Sequence, residues 1–243
     1  MSDSTSSRYI SRILSTAAIG LIAPVVSANI FMTEIVDATL PGAAPKFIEI
    51  TNGSGSDYTF GTGGGIIVLS NASTDFSVDV DMTGITIGSG QTITVSTNSG
   101  TQDVTFQNVY GSAPDYLSGG AAFGNGDDGY ALVDNGVDAA SGVFLDLFGE
   151  VGIDGTGTFW EYTDGYAYRV LGLTAGNNGT FDPGNWFFSG VDALQSVNQT
   201  DEEETALILA YTTPGAYAVP EPSTYAVVLG LLAIGFVIRR RRS

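Results

Sequence analysis

From residue 29 to residue 219 the apolar residues come in short runs about ten residues apart, with Gly, Asn and Asp between them. No stretch of this region keeps a helical period over three turns, so the runs read as strands. Ile30-Phe31-Met32-Thr33-Glu34-Ile35-Val36 is strand-like, and Phe47-Ile48-Glu49-Ile50 alternates apolar and polar before a turn at Asn52-Gly53. Ile66-Ile67-Val68-Leu69 reads as a buried strand after three glycines. Ile85–Ile87, Thr92–Ser96, Tyr130–Val133, Val143–Phe148 and Tyr166–Val170 follow. The expectation is an all-β domain, a sandwich or barrel, built on a single core.

The two ends follow other rules. Arg8 and Arg12 precede an apolar stretch, Ile13 to Val26, that closes on Val26-Ser27-Ala28. Charge held on the cytoplasmic side, a short apolar segment and small residues at the cut describe a secretory signal. Residues 1–28 are thus expected to be removed by signal peptidase between Ala28 and Asn29, the alternative being an N-terminal core helix. At the other end, Val219-Pro220-Glu221-Pro222 leads into an apolar run from Tyr225 to Ile238, then Arg239, Arg240, Arg241 and Arg242. As a helix that run spans only about 21 Å, less than the hydrocarbon core it would cross. Snorkelling arginines close such a gap, and the positive-inside rule keeps them cytoplasmic as a membrane stop cluster.

The segment 219–243 resembles the PEP-CTERM sorting signal of Gram-negative bacteria that make an exopolysaccharide matrix, with Pro-Glu-Pro core, apolar helix and basic end in order. That resemblance implies an exosortase as partner, transient anchoring in the inner membrane, and delivery to the cell surface or extracellular matrix. An ordinary single-pass anchor is the alternative.

Composition narrows the chemistry. The chain has no cysteine and no histidine. Disulfides, Cys–His and Ser–His nucleophilic sites and the usual zinc and copper ligand sets are excluded. Between 29 and 219, 24 acids stand against two bases, Lys46 and Arg169, for a net charge of −22. Such a surface repels phosphate backbones, so no nucleic-acid partner is expected. It suits divalent cations, solubility outside the cell, or a saline habitat.

A second resemblance covers residues 30–192. Ile30 through Glu34, Phe47-Ile48-Glu49-Ile50-Thr51-Asn52 and Phe123-Gly124-Asn125-Gly126-Asp127-Asp128-Gly129-Tyr130 occur in the order seen in lamin tail domains. Leu145–Gly152, Gly157–Trp160, Ala167-Tyr168-Arg169, Phe181-Asp182-Pro183 and Trp186 continue it, while 100–122 is glycine-rich, loop-like and has no counterpart. The resemblance implies an immunoglobulin-like β-sandwich over 29–200, followed by a last strand and linker over 201–218.

Several residues invite a site. Asn125, Asp127 and Asp128 beside Gly126 and Gly129 have the oxygen ligands and bends of a calcium loop, but lack EF-hand spacing. A tight turn is the competing reading. Asp75, Asp79 and Asp81 read as a solvated strand face, and Asp201-Glu202-Glu203-Glu204 as a solvated turn before a strand at Ala206–Ala210. Trp160, Tyr162, Tyr166 and Tyr168 are expected to alternate along a strand and cover one core face, and Arg169 to pair with a nearby acid. No carboxylate pair stands out for glycoside hydrolysis, so no catalytic residue is expected. The reading is a non-catalytic surface or matrix protein, structural or adhesive, contacting exopolysaccharide or neighbouring surface proteins. A calcium- or carbohydrate-binding surface module is the alternative.

Overall fold

The computed structural model describes residues 29–118, 124–135 and 143–217. The expected signal segment with Ala28, and the tail with Val219, Pro220, Glu221, Pro222 and Arg239–Arg242, lie outside them.

In chain order come β1 (Ile30–Leu40), β2 (Ala44–Asn52), β3 (Tyr58–Thr59), β4 (Gly65–Leu69), β5 (Val80–Asp81), β6 (Thr86–Ile87) and β7 (Thr92–Thr97). Then follow α1 (Gln102–Tyr110), β8 (Tyr116–Ser118), β9 (Gly129–Asp134), β10 (Val143–Phe148), β11 (Tyr166–Arg169), β12 (Trp186–Phe188) and α2 (Asp201–Tyr211). The strands form a six-stranded sheet, β12-β11-β1-β2-β7-β8, a four-stranded sheet, β10-β9-β4-β5, and a β3-β6 pair. The protein is mostly β, as the spacing of its apolar runs predicts, and Val143–Phe148 has the predicted bounds.

The two larger sheets pack face to face. Met32, Ile35, Ile48 and Ile50 from one meet Tyr130, Leu132, Leu145 and Phe148 from the other. Phe148 is the hub of this core, its ring 4.8 Å from Trp186, 5.5 Å from Tyr162 and 6.0 Å from Trp160, all at steep angles. Edge-to-face packing of this kind sets ring edges against ring faces, as aromatic quadrupoles prefer. The far side of the six-stranded sheet has a second core, in which Val36, Ala38, Leu40 and Phe47 lie under Phe106 of α1 and Ile208 of α2.

That helical layer corrects three expectations. Within 100–122, expected as loop, residues 102–110 form α1, whose Gln102 side chain accepts from the Lys46 amide and donates to the Ala43 carbonyl. The expected turn and strand over 201–210, the strand part of the expected last strand and linker over 201–218, are instead α2, which ends at Tyr211. Thr200 caps α2, its hydroxyl accepting from the Glu203 amide, and Asp201 to Glu204 fill the first turn, where the helix end is positive. The same charges that look like a solvated turn are the start signal of a helix. Replacing Thr200 with alanine should cost about 1 kcal/mol and speed exchange of the α2 amides, read by hydrogen–deuterium exchange.

The third correction concerns the aromatics. Trp160 and Tyr162 precede β11 in a turn and enter the inter-sheet core, whereas Tyr166 packs on the helical side. Tyr168 is partly exposed beside it. The four rings therefore serve two faces, not one. Among the acids expected on a strand face, Asp81 lies exposed on β5, while the Asp79 carboxylate accepts from the Val68 amide at 2.7 Å. Asp75 closes a local turn with Ser77.

Candidate functional site

The pairing of β1 with β2 shifts between Met32 and Glu34, the mark of a bulge. A bulge sets two residues against one, which changes the side-chain alternation along the strand. Met32 and Ile35, an odd number of residues apart, consequently both enter the inter-sheet core. Glu34 stands directly across from Glu49 on β2. The Thr33 hydroxyl donates to Glu49 and shares a hydrogen bond with Thr51 at 3.0 Å. Two carboxyls and two hydroxyls are thereby gathered on the outer face of the sheet, and all four residues are buried.

Their cover comes from the far end of the sequence. After α2 the chain runs across the carboxyl pair as a short strap, Thr213 to Tyr217. The Thr213 amide donates to both oxygens of Glu34, at 3.1 and 3.2 Å. The Gly215 and Ala216 amides donate to the same oxygen of Glu49, at 2.6 and 3.3 Å. Tyr217 closes the strap, its ring edge-on to Phe31 at 5.5 Å. Its hydroxyl donates to the Val170 carbonyl and accepts from the Leu173 amide. A cavity of about 260 Å³ remains here, lined by Glu34, Glu49, Arg169, Tyr211, Ala216 and Tyr217 among others.

Burial pushes the Glu34 carboxyl up to about 8, with the charge of Glu49 adding to the rise and the Thr213 amide opposing it. Glu34 is therefore mainly protonated at neutral pH. Glu49 is also raised by burial, against the pull of Thr33, Gly215 and Ala216. The arrangement is a hydrogen-bonding clamp for backbone amides.

Both bases of the body lie in ion pairs. Arg169 pairs with Asp146 across the two sheets, as expected of a base among acids, and its Nε donates to the Met32 carbonyl at 2.7 Å. Its guanidinium stacks 4.4 Å from the Trp186 ring. Asp146 also accepts from the amides of Met32 and Asn177, at 2.9 and 3.1 Å. Lys46 bonds Asp37, its cross-strand neighbour, at 2.7 Å, and donates to the Gly124 carbonyl.

The acidic turn at 125–128 is brought together, but as a knot of local bonds. Asp128 is buried, and its two oxygens accept from the amides of Asn71 and Asn125. Asp127 accepts from the Thr156 hydroxyl at 2.9 Å. With its amide nitrogen turned inward, Asn125 donates to Asp128 at 2.9 Å and to Asp127. Among the described residues no group of three or more acids is placed to hold a metal ion. Asn29, the expected new N-terminus, is the first described residue, and its carbonyl accepts from the Gly53 amide at 2.7 Å.

Glu34, Glu49 and Asp146 were not singled out by the sequence. The only signal they carry is a carboxylate inside an otherwise apolar run, which alternation assigns to a solvated face.

Among known families, the PEP-CTERM protein-sorting motif matches residues 218–242. The match begins one residue past Tyr217. It supports an exported chain with a membrane-anchored C-terminal signal that an exosortase sorts. No curated protein and no solved structure matches the chain. Among the described residues no helix is long and apolar enough to cross a membrane.

Proposed function

We propose that this is a non-catalytic surface or matrix protein of a Gram-negative bacterium, whose body is displayed after signal peptidase and exosortase have trimmed its ends. The observation that carries the reading is the sorting motif at residues 218–242, which begins next to Tyr217, itself docked on the body. The basic cluster Arg239 to Arg242 then stays cytoplasmic while the tail awaits processing. The body is taken as an immunoglobulin-like sandwich of the lamin tail kind, a reading supported by the order of its sequence motifs and by its two face-packed sheets. Its role is structural or adhesive, toward exopolysaccharide or neighbouring surface proteins. The one carboxyl pair that stands out, Glu34 with Glu49, is occupied by backbone amides, which favours a clamp over an acid–base couple.

Intact mass tests the sorting. Co-expression with an exosortase should shorten the chain by the residues following the Pro220-Glu221-Pro222 core, and a host without the enzyme should leave the tail whole. A full tail held in the membrane in both hosts would make this a plain anchored protein.

A carbohydrate-binding module is the second reading. It is favoured by a groove of about 770 Å³ between β12 and α2, lined by Tyr166, Phe187 and Tyr211 with Gln195 and Asn198. Aromatic rings beside amide groups suit a sugar. In the calcium form of this reading the metal sits at Asn125, Asp127 and Asp128. Calorimetric titration separates the two ligands: a saturable heat with calcium that Asp127→Asn abolishes would favour the metal, and no heat would leave the turn purely structural.

A further inference from the structure

We propose that Glu34 and Glu49 are positioning residues for the sorting reaction: they hold Thr213–Tyr217 on the outer face of β1 and β2 as a latch, which must leave before the adjoining motif is cut. The proposal rests on the exosortase reading above.

Only two residues, Ala218 and Val219, separate Tyr217, docked on Phe31, from Pro220. Fully extended, the three Cα-to-Cα steps from Tyr217 to Pro220 reach about 10 Å. A peptidase must hold its substrate extended on both sides of the bond it cuts, and a folded body this near occupies that space. Letting go of 213–217 adds five residues, or at most about 17 Å of reach.

The attachment is built to let go. The strap adds no strand to the sheet, and its amides meet side-chain carboxyls instead of a ladder. Three amides, one tyrosine ring and one hydroxyl account for the grip. The core between the sheets does not include it, so the strap can leave while the body stays folded. The carboxyls themselves are placed by the hairpin, Glu49 held by the Thr33 hydroxyl and Glu34 set directly across from Glu49 on the paired strand. Glu34 and Glu49 thus set where the chain leaves the body and how tightly.

The chain has no cysteine, which makes a reversible lock simple to install. Leu171 is 67 % exposed and lines the same cavity as the exposed Ala216. Leu171→Cys with Ala216→Cys, joined in the full-length chain by a reducible bis-maleimide linker, ties the strap to the body. Membranes bearing exosortase should process the tied chain at least tenfold more slowly, and cleaving the linker should restore the rate in the same sample. In parallel, Glu49→Ala should speed exchange of the Gly215 and Ala216 amides at least tenfold, leave the β9–β10 amides unchanged, and raise the processing rate. Equal rates before and after linker cleavage would overturn the latch, as would unaltered strap exchange in Glu49→Ala. If the wild-type chain is itself left uncut by the enzyme, the sorting reading fails and takes the latch with it. That result is distinct from a wild-type chain that is cut whether tied or free.

Discussion

Replacement of Asp146 by alanine is expected to lower stability by about 3–5 kcal/mol, because the Arg169 guanidinium is left charged, buried and unpaired between the sheets. The Met32 and Asn177 amides lose their acceptor in the same step. Arg169→Ala should cost a similar amount from the other side, adding the loss of stacking on Trp186. Burial pushes the Asp146 carboxyl up while Arg169 pulls it down, so removal of the arginine strengthens the drive to protonate. Replacing both partners with well-packed apolar residues, Asp146→Leu with Arg169→Met, should recover most of the loss, since what costs is the orphaned charge. Urea denaturation followed through Trp160 and Trp186 fluorescence reads all four proteins. A double variant that costs as much as the two single substitutions summed would refute the role given to this pair.

The second large effect is on pH. The Glu34 carboxyl is raised from 4.5 to about 8, so between these values the folded chain holds a proton that the unfolded chain has released. The stabilisation is complete below about 4.5 and is lost as pH rises through 8. Within that window the slope approaches about 1.4 kcal/mol per pH unit from this group alone. The groups that face it are Glu49 from β2, Tyr110 from α1 and Tyr166 from β11, with Arg169, Tyr211 and Tyr217 around the cavity. Glu49, Asp37, Asp128 and Asp146 are raised by burial as well and steepen the fall in the same direction. Exposed Asp75, Asp81 and Asp154 are lowered by local hydrogen bonds and act oppositely, at lower pH. Glu34→Gln keeps an acceptor for Thr213 and removes the charge. It should flatten the dependence between pH 5 and 8 and make the protein more stable than wild type at pH 8. An unaltered profile in this variant would show that Glu34 ionises freely in the folded chain.

Much of the sheet framework was legible because strands report themselves locally. Val143–Phe148 and Thr92–Thr97 are, but for Asp146 and Ser96, apolar or β-branched, and need no distant information to be found. The helices were not legible for the opposite reason. In α2 the apolar residues Ala206 to Ala210 are contiguous, so no 3.6-residue stripe appears, although Ile208 is fully buried and Leu207 packs partly against the same core. In α1 the packed residues Gln102, Phe106, Val109 and Tyr110 span little more than two turns, too short a stretch to show a period. Each helix is held by the apolar side of a sheet already in place, and that side is a tertiary fact.

The clamp was hidden by the same logic. Alternation in Phe47-Ile48-Glu49-Ile50 correctly puts Glu49 opposite the inter-sheet core, but nothing local says that the opposite face is also covered. The cover arrives more than 160 residues later in the chain. The bulge at Thr33–Glu34 is equally silent, since an inserted residue leaves an apolar run looking like any other strand. What the sequence did expose was the tail, because membrane passage and charge retention are properties of a linear segment and require no fold.

Lys46 and Arg169 are the only bases between residues 29 and 219, and both are taken up by interior partners. The side-chain charge on the outside of the body is thus carboxylate alone. Two copies of such a body brought together repel one another electrostatically, with no basic patch on either to offset the acids. Salt sets the distance at which this is felt: about 30 Å in dilute medium and about 8 Å at physiological strength. The distance that copies keep from one another should therefore follow the salinity of the medium, longer in fresh water and shorter in brine, with no change in the fold.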